Sequence, residues 1–402
     1  MARRPHVLIV VENVPFGDDT RVRKQVDSLL DAGVGVSVIT PRSAANEPHR
    51  GRDGLRIHDY PAPPEGVGVF AYVIEYLYAL LASTLLWARA RVAGRIDVVQ
   101  LCVPPDVFLV VGWLSRLAGA RVVVDQRDLL SELFAARYRD GGTLVPALLR
   151  RLERASQRSA DRVLVVNRTL AERAIGAVVD PGRVVIVRNG PVLANVDRAA
   201  PDPALRENSR MVACWTGMMG RQDRLDLLID AIGELVHELG RTDCLFALVG
   251  DGEARAGAQQ QVRRLDLERW VRFPGWVDEA TLFRYLATAD LGLDATLQGE
   301  VSPVKAVEYM AFGLPFVAFD LPETRRTGGD AAVFAPPGNV EALAAGIERL
   351  LRDDAERRAR GERGRDRVER ELAWDRQADV YVATISAACS DGTDHRVRAV
   401  VR

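Results

Sequence analysis

One short stretch of this 402-residue chain concentrates residues able to do chemistry. From Glu300 to Phe316 it reads Glu-Val-Ser-Pro-Val-Lys-Ala-Val-Glu-Tyr-Met-Ala-Phe-Gly-Leu-Pro-Phe. Ser302 suits a helix N-cap, Pro303 the first helical position, and Gly313 with Pro315 a helix stop. Three-residue spacing puts Ser302, Lys305 and Glu308 on adjoining turns of one face, while Val304, Val307 and Ala311 are left to pack on a sheet. A cation in the first turns opposes the helix dipole unless an anion is nearby, so a helix N-terminus bearing a lysine is a natural phosphate site. Glu308, one turn deeper, is placed to accept two hydrogen bonds from a ribose diol. The plainer alternative is a solvated Lys–Glu pair worth ~0.2–0.5 kcal/mol. Its apolar neighbours, Ala306, Val307, Tyr309 and Met310, weigh against that, because a mostly buried helix carries few charges without a reason. Lys24 and Lys305 are the only lysines among 54 basic residues. A coding bias toward arginine explains the rest, and a lysine that survives it hints that a compact ammonium matters.

A second candidate is Asp125-Gln126-Arg127-Asp128, which follows the apolar run Val122–Val124. A fixed cation there must meet an anion or lose its hydration at a cost of several kcal/mol. Its partner is either a ligand's phosphate or carboxylate, or a neighbouring Asp128 or Glu132. Asp18, Asp19 and Arg21 sit in and after a polar loop, where a turn and helix N-cap is the default reading. Pro104, Pro105 and Asp106 begin another helix. Asp251 and Glu253 read as turn formers.

These residues need elements to hold them. Val7–Val11, Val34–Ile39, Val98–Cys102, Arg121–Asp125, Val163–Val166 and Val184–Val187 are short apolar runs separated by helical lengths, as in a parallel sheet covered on both faces. The first helix is expected over Thr20–Ala32. The pattern restarts with strands at Val212–Thr216, Leu245–Val249, Val271–Phe273, Leu291–Asp294 and Phe316–Phe319, and a helix at Leu225–Leu239. An Arg-rich helical stretch follows from Val340 to about Arg370. The expected fold class is α/β, with two doubly wound Rossmann-like domains over 1–190 and 210–372 and a cleft between them. A linker is expected at 191–209, a C-terminal helix returning to the first domain at 373–388, and a frayed tail at 389–402.

Composition narrows the function. Fifty-four basic and 55 acidic residues leave a net charge of -1, which gives no global attraction to nucleic acid. Four scattered cysteines without CxxC spacing argue against structural zinc and a disulfide framework and fit a reducing cytosol. The N-terminus has no signal-peptide pattern. Tyr76–Ala88 is the most lipid-like stretch and is too short to span a bilayer, which needs about 20 residues. Phe70–Ala88 as a whole reads as a core or cleft-wall helix, with shallow membrane-surface contact as the alternative. The loop after the first strand has one glycine and no GxGxxG, which disfavours a dinucleotide oxidoreductase.

The ordered motifs resemble family-4 retaining glycosyltransferases of the GT-B fold, known as glycosyl transferases group 1. Glu300 and Glu308 within SPVKAVEYMAFGLPFVAFDLPE look like the family's E-x7-E region. VPFGDDTRVRKQVDSLLDAGVGVSVIT, VVQLCVPPDVF, VVVDQRDLLSELF, RVLVVN, VVIVRNGP, ALVGDGE and VRFPGWV are similar to its other motifs, in the same order over nearly the whole chain. The resemblance implies sugar transfer with retention from a nucleotide-diphosphate donor of UDP or GDP type, without a cofactor or metal, by a cytoplasmic enzyme that is peripheral to a membrane if its acceptor is lipid-linked. Glu308 would bind the donor ribose, and Glu300 with the backbone at Val301 and Ser302 the donor sugar. Lys305 would lie near the diphosphate, and Gly250 would line the donor site. The loop Gly217-Met218-Met219-Gly220-Arg221-Gln222-Asp223-Arg224 corresponds to the family's diphosphate loop. Met218 stands where relatives carry arginine, which leaves Arg221 or Arg224 to restore the charge. Gly17, Asp18, Asp19, Arg21 and Pro105 would lie on the acceptor side. Relatives have His-Asp where this chain has Arg127-Asp128; an arginine cannot serve as a neutral base, so Arg127 departs from the family chemistry. The competing readings are a sugar-nucleotide epimerase or hydrolase of the same fold, and a non-catalytic sugar-nucleotide-binding scaffold.

Overall fold

The computed structural model describes residues 3–62, 69–137, 144–176, 179–207, 209–299 and 302–390. The chain divides into two compact units, one holding residues up to Arg188 and from Ala378 onward, the other Asn189–Gln377.

The first unit is a seven-stranded parallel sheet: β1 (His6–Val10), β2 (Gly35–Pro41), β3 (Leu55–Tyr60), β4 (Val98–Val103), β5 (Arg121–Gln126), β6 (Arg162–Val165) and β7 (Val184–Ile186). Their order is β3-β2-β1-β4-β5-β6-β7, so the topology reverses between β1 and β4. The strands read as continuous apolar runs because helices cover the sheet: Val7, Leu8, Ile9 and Val10 have no exposed surface. Helices α1 (Thr20–Asp31), α2 (Val69–Ala93), α3 (Leu109–Leu117), α4 (Leu130–Arg137), α5 (Leu144–Ser159) and α6 (Arg168–Gly176) connect them.

The second unit repeats the plan with six parallel strands, β8 (Met211–Met218), β9 (Cys244–Asp251), β10 (Val271–Gly275), β11 (Leu291–Asp294), β12 (Phe316–Phe319) and β13 (Ala332–Ala335). Their order is β10-β9-β8-β11-β12-β13, with the reversal between β8 and β11. Its helices are α7 (Leu193–Val196), α8 (Leu225–Gly233), α9 (Arg255–Arg264), α10 (Glu279–Thr288), α11 (Val304–Ala311), α12 (Pro322–Gly328), α13 (Val340–Arg352) and α14 (Asp354–Arg367). α15 (Trp374–Cys389) begins in this unit, and its residues from Ala378 belong to the first. There the Tyr381 hydroxyl donates to Gln100 Oε1 at 2.7 Å in the first unit's interior.

Several expectations are corrected. The edge strands β3 and β13 lie outside the expected set, the first because Arg56, His58 and Asp59 interrupt its apolar pattern. The helix after β8 is regular only to Gly233 and finishes as a π-turn over Glu234–Glu238. The Arg-rich stretch breaks at Asp353, whose carboxylate caps α14 by accepting from Glu356 N at 2.8 Å. The stretch 191–209 is folded onto the second unit rather than free: Val196 is buried, and Arg206 donates to Asp290 and to the Thr288 carbonyl at 2.9 Å. The expected frayed tail beyond Ser390 lies outside the described residues.

α2 differs most from its sequence reading. It is neither a core helix nor as short as Tyr76–Ala88 suggested: 22 residues, Tyr72–Ala93, are apolar enough to cross a bilayer by length and composition, yet little of that surface is buried.

Candidate functional site

In open parallel sheets ligands bind beyond the carboxyl ends of the strands, where the topology reverses. In the second unit that point lies between β8 and β11. These strands pair only at Leu291↔Ala213 and Gly292↔Cys214, then diverge. Tyr309 of α11 fills the gap: its hydroxyl accepts from Thr216 N at 3.1 Å and donates to the Leu293 carbonyl at 3.0 Å. Its ring lies so close to Gly292 that a β-carbon there would sit 2.3 Å from it, so glycine is required. α11 is thereby pinned at the mouth of the sheet.

Lys305, in the first turn of α11, points along that mouth. Its Nζ lies 2.7 Å from Asp223 Oδ1 and 3.5 Å from Asp294 Oδ1, and 4.7 Å from the centre of the Trp215 ring. Burial alone would lower its pKa, but the carboxylates of Asp294 and Asp223 outweigh that and hold it above the ordinary value, so it stays charged. The surface Lys–Glu pair is therefore replaced by a largely buried Lys–Asp–Asp cluster. Sequence reasoning missed Asp294, although its place as the last residue of a strand was a usable signal, and left Asp223 unassigned within a loop it had quoted.

The walls are kept bare by glycine. Gly217 and Gly250 are register partners at the ends of β8 and β9, with φ of +143° and +144°. A β-carbon on Gly250 would lie 1.9 Å from the Gly217 carbonyl oxygen, so backbone lies against backbone at this wall. Gly220 N donates to Asp223 Oδ2 at 3.2 Å, which fixes the carboxylate that holds Lys305. Three polar atoms here, Asp294 Oδ2, Trp215 Nε1 and Thr216 Oγ1, are buried without a hydrogen-bond partner among the described residues.

The other second-unit candidates separate. Glu308 is half-buried one turn beyond Lys305, near enough to Cys214 to add to burial in raising that thiol's pKa. Ser302 does not cap: α11 starts at Val304 with Pro303 in the cap position, and the Ser302 carbonyl accepts from Val304 N at 2.8 Å. Arg224 is taken by Asp226, with Nη2–Oδ2 at 2.7 Å. Arg221 is 85% exposed, and among the described residues it has a single 3.8 Å contact, to Glu253. Glu300 and Val301 lie outside the described residues.

In the first unit the candidates gather around Asp125, the buried end of β5. Arg21 clamps it with two hydrogen bonds, Nε to Oδ2 at 3.0 Å and Nη2 to Oδ1 at 2.8 Å, and also donates to the Val187 carbonyl at 3.0 Å. Gln25 adds a third donor at 2.9 Å, and Gln100 and Tyr381 extend the chain of bonds. Burial would raise the Asp125 pKa, and Arg21 more than reverses this, leaving it below the ordinary value. Arg21 was expected on the acceptor side; instead it is buried and ties α1 to β5 and β7.

Arg127 pairs with neither Asp128 nor Glu132. Its Nη1 donates to Asp19, and its Nε lies 3.8 Å from Asp125 Oδ2. Asp19 is at once the N-cap of α1, accepting from Val22 N at 2.9 Å, and the partner of Arg127. The Arg127 side chain is 21% exposed, and its Nε and Nη2 are buried without a hydrogen-bond partner among the described residues. Burial would lower its pKa, but Cys102, Asp19 and Asp125 raise it, so the guanidinium is permanently charged. The Asp128 pKa is raised by burial and by Glu132 against the pull of Arg127. Asp18 is exposed, with one 3.4 Å contact from Ser43 Oγ. Gly17 lies so close to Ala45 that a β-carbon would collide with its carbonyl at 1.9 Å, and Pro105 precedes the short 3-10 turn Asp106–Phe108.

Comparison with known proteins gives this arrangement a setting. Residues 210–353 match the family model "Glycosyl transferases group 1" and residues 17–190 the model "Glycosyl transferase 4-like domain". The phosphatidyl-myo-inositol mannosyltransferase of Mycolicibacterium smegmatis is 32% identical over 370 residues, 89% of this chain and 87% of the relative. A putative colanic acid biosynthesis glycosyl transferase, WcaI of Escherichia coli K12, is 26% identical over 302 residues, 70% of each chain. Among solved structures, sucrose-phosphate synthase from Thermosynechococcus elongatus superposes with a TM-score of 0.77 at 19% identity, covering 96% of this chain and all of the other. Anabaena HepE in complex with UDP-glucose gives 0.74 at 16% identity, covering 95% and 99%. These neighbours have the GT-B fold of two Rossmann-like parallel-sheet domains, as does this chain.

Proposed function

The chain belongs to the group 1 glycosyl transferases, and from that premise we propose that it moves a sugar, with retention, from a nucleotide-diphosphate donor to a nucleophilic acceptor. The observation that carries this reading is α11 at the β8/β11 reversal, which presents Lys305 and Glu308 beside the bare backbone of Gly217 and Gly250. Glu308 takes the ribose hydroxyls, which a carboxylate accepts with charge-strengthened hydrogen bonds. Gly217, Gly220 and Gly250 let the donor's diphosphate approach the main chain. Arg221 is the exposed cation left in that loop, and it stands in for the arginine that Met218 displaces. Lys305 lies under the leaving diphosphate and stabilises the charge that grows there as the sugar–oxygen bond breaks. Glu300 and the backbone at Val301 and Ser302 hold the donor sugar, as the family motif implies.

No base is needed on the protein. The acceptor's proton passes to the departing phosphate oxygen as the new glycosidic bond forms, so a permanently charged Arg127 is compatible with transfer. Arg127 uses its unengaged Nε and Nη2 on an anionic or hydroxyl-rich group of the donor or acceptor, with Asp128 beside it and Gly17, Asp18 and Pro105 on the acceptor side. The diphosphate charge is met by Arg221, Lys305 and the α11 N-terminus, without a resident metal. The enzyme works at the cytoplasmic side.

The test is a mass-spectrometric screen of UDP- and GDP-sugars against acceptor pools, with nucleoside diphosphate release followed in parallel. Release that requires acceptor, with a glycosylated product of retained configuration, is the expected result. Release without acceptor would make the protein a hydrolase, isomerised donor an epimerase, and binding without turnover a scaffold.

A further inference from the structure

α2 is built inside out. Its sheet-facing side carries small buried residues, Ala79, Ser83 and Ala90, beside half-buried Tyr78 and Leu80. Its outer side carries Val73, Leu77, Leu81 and Leu85 at four-residue spacing, and Leu81 and Leu85 are 66% and 67% exposed. A helix that merely covers a sheet in water does the reverse, with large apolar groups inward and charges outward. Leu86 and Trp87 flank the inward side and pack on the first unit's core. α3, packed beside α2, continues the surface with Trp113 at 52% and Leu117 at 86% exposure.

Past Glu75 the charged side chains of α2 and α3 are all arginines, of which Arg116 is already paired with Asp161 at 3.0 Å. From Tyr76 to Ile96 and from Val107 to Val124 the sequence contains no acidic residue. Arg89 extends the Leu77–Leu81–Leu85 row by one more step of four, is exposed, and makes no salt bridge among the described residues; the same holds for the pairing of Arg91, which only reaches the Ala118 carbonyl at 3.4 Å. A second copy seated face to face would bring its own Arg89 and Arg91 against an equally acid-free surface. Lipid headgroups carrying phosphate supply the missing negative charge, and acyl chains the missing apolar contact.

We propose that the joint outer face of α2 and α3 docks the protein on an anionic lipid bilayer, with both helices lying in the plane of its surface. α2 is long enough to span, at about 33 Å for the 22-residue stretch Tyr72–Ala93, but its inner side roofs the first sheet, and leaving that place would expose the core beneath. Lying flat satisfies both sides. This inference does not depend on the proposed reaction, since it concerns where the protein sits and not what it transfers.

The experiment is flotation of the full chain with vesicles of phosphatidylcholine alone and of phosphatidylcholine mixed with phosphatidylglycerol. Phosphatidylglycerol should raise the bound fraction about fivefold or more, and high salt should remove most of that gain. Leu81→Glu with Leu85→Glu should weaken binding about tenfold or more while the melting temperature stays within about 2 °C. Leu117→Gln, on the other helix and 86% exposed, is the milder variant and should lower binding about threefold. Absence of flotation on either vesicle would overturn the proposal. So would concentration-dependent dimerisation in sedimentation velocity that the same substitutions abolish, with no vesicle binding.

Discussion

The two units each place a buried ion cluster at the carboxyl ends of their strands, and the clusters are of opposite character. Around Asp125, two arginines meet two aspartates, both Asp125 oxygens accept hydrogen bonds, and the unengaged atoms are donors on Arg127. Around Lys305, one lysine meets two aspartates, and the unengaged charged atom is an acceptor, Asp294 Oδ2. The first arrangement closes on itself and leaves its unused hydrogen-bonding capacity on a cation. The second carries one negative charge more than its lysine neutralises, so Lys305 alone does not make that mouth electropositive. On the proposed function, donors for a diphosphate there come largely from the glycine-lined backbone and Arg221.

The comparison breaks most directly at Arg21. Arg21→Met leaves Asp125 buried with one hydrogen bond from Gln25 and the more distant Arg127 guanidinium, and should cost about 3–5 kcal/mol in urea unfolding. If stability is unchanged, the first cluster is not closed in the sense argued. Lys305→Met should cost less stability, about 1–3 kcal/mol, but lower turnover about 100-fold at saturating donor. Turnover at the wild-type rate would reduce Lys305 to a structural counterion of Asp223. Arg127→Lys keeps the charge and removes the planar fork, so turnover or acceptor affinity should fall about tenfold with the fold intact. Arg127→His, which restores the residue that the family resemblance leads one to expect, should also be slower with the native substrates. Wild-type kinetics for both would confine Arg127 to its contact with Asp19. Glu308→Gln should weaken nucleoside diphosphate binding in calorimetry about five- to tenfold, with the ligand-free melting curve unmoved.

The mildest test uses pH and addresses the first unit alone. Burial, with Glu75 adjacent, lifts the Glu12 carboxyl at the end of β1 from 4.5 to about 8. A raised folded-state value means that Glu12 contributes stability fully below pH 4.5, and that this is lost as pH climbs toward about 8. The melting temperature should drop by several degrees across that window, and Glu12→Gln should lessen the slope, with buried Asp106, raised to about 7, keeping part of it.

Much of this was legible in the sequence because it is local. Continuous apolar runs marked the central strands, and Gly313, observed at φ +67°, marked the end of α11. What was not legible is long-range pairing. Arg127 meets Asp19, far away in sequence, because α1 and the end of β5 are brought together by sheet order, which no spacing encodes. Arg21 reads as an acceptor-side residue for the same reason: its partners, Asp125 and the Val187 carbonyl, are supplied much later in the chain. The outward leucines of α2 misled in another way, since a hydrophobic stretch suggests burial and only the fold shows which side is covered.

Tyr309 has a consequence for how finely the second site is set. Its hydroxyl occupies the position of a missing rung between β8 and β11, so it works as a gauge that fixes both the opening between the strands and the depth of the helix beside it. Loosening that gauge would shift Lys305 and Glu308 together, as one rigid jaw, with no change to either side chain's chemistry. A phenylalanine in this place would keep the ring's fit against Gly292 and lose the setting, so a misaligned site would be bolted to an otherwise sound framework.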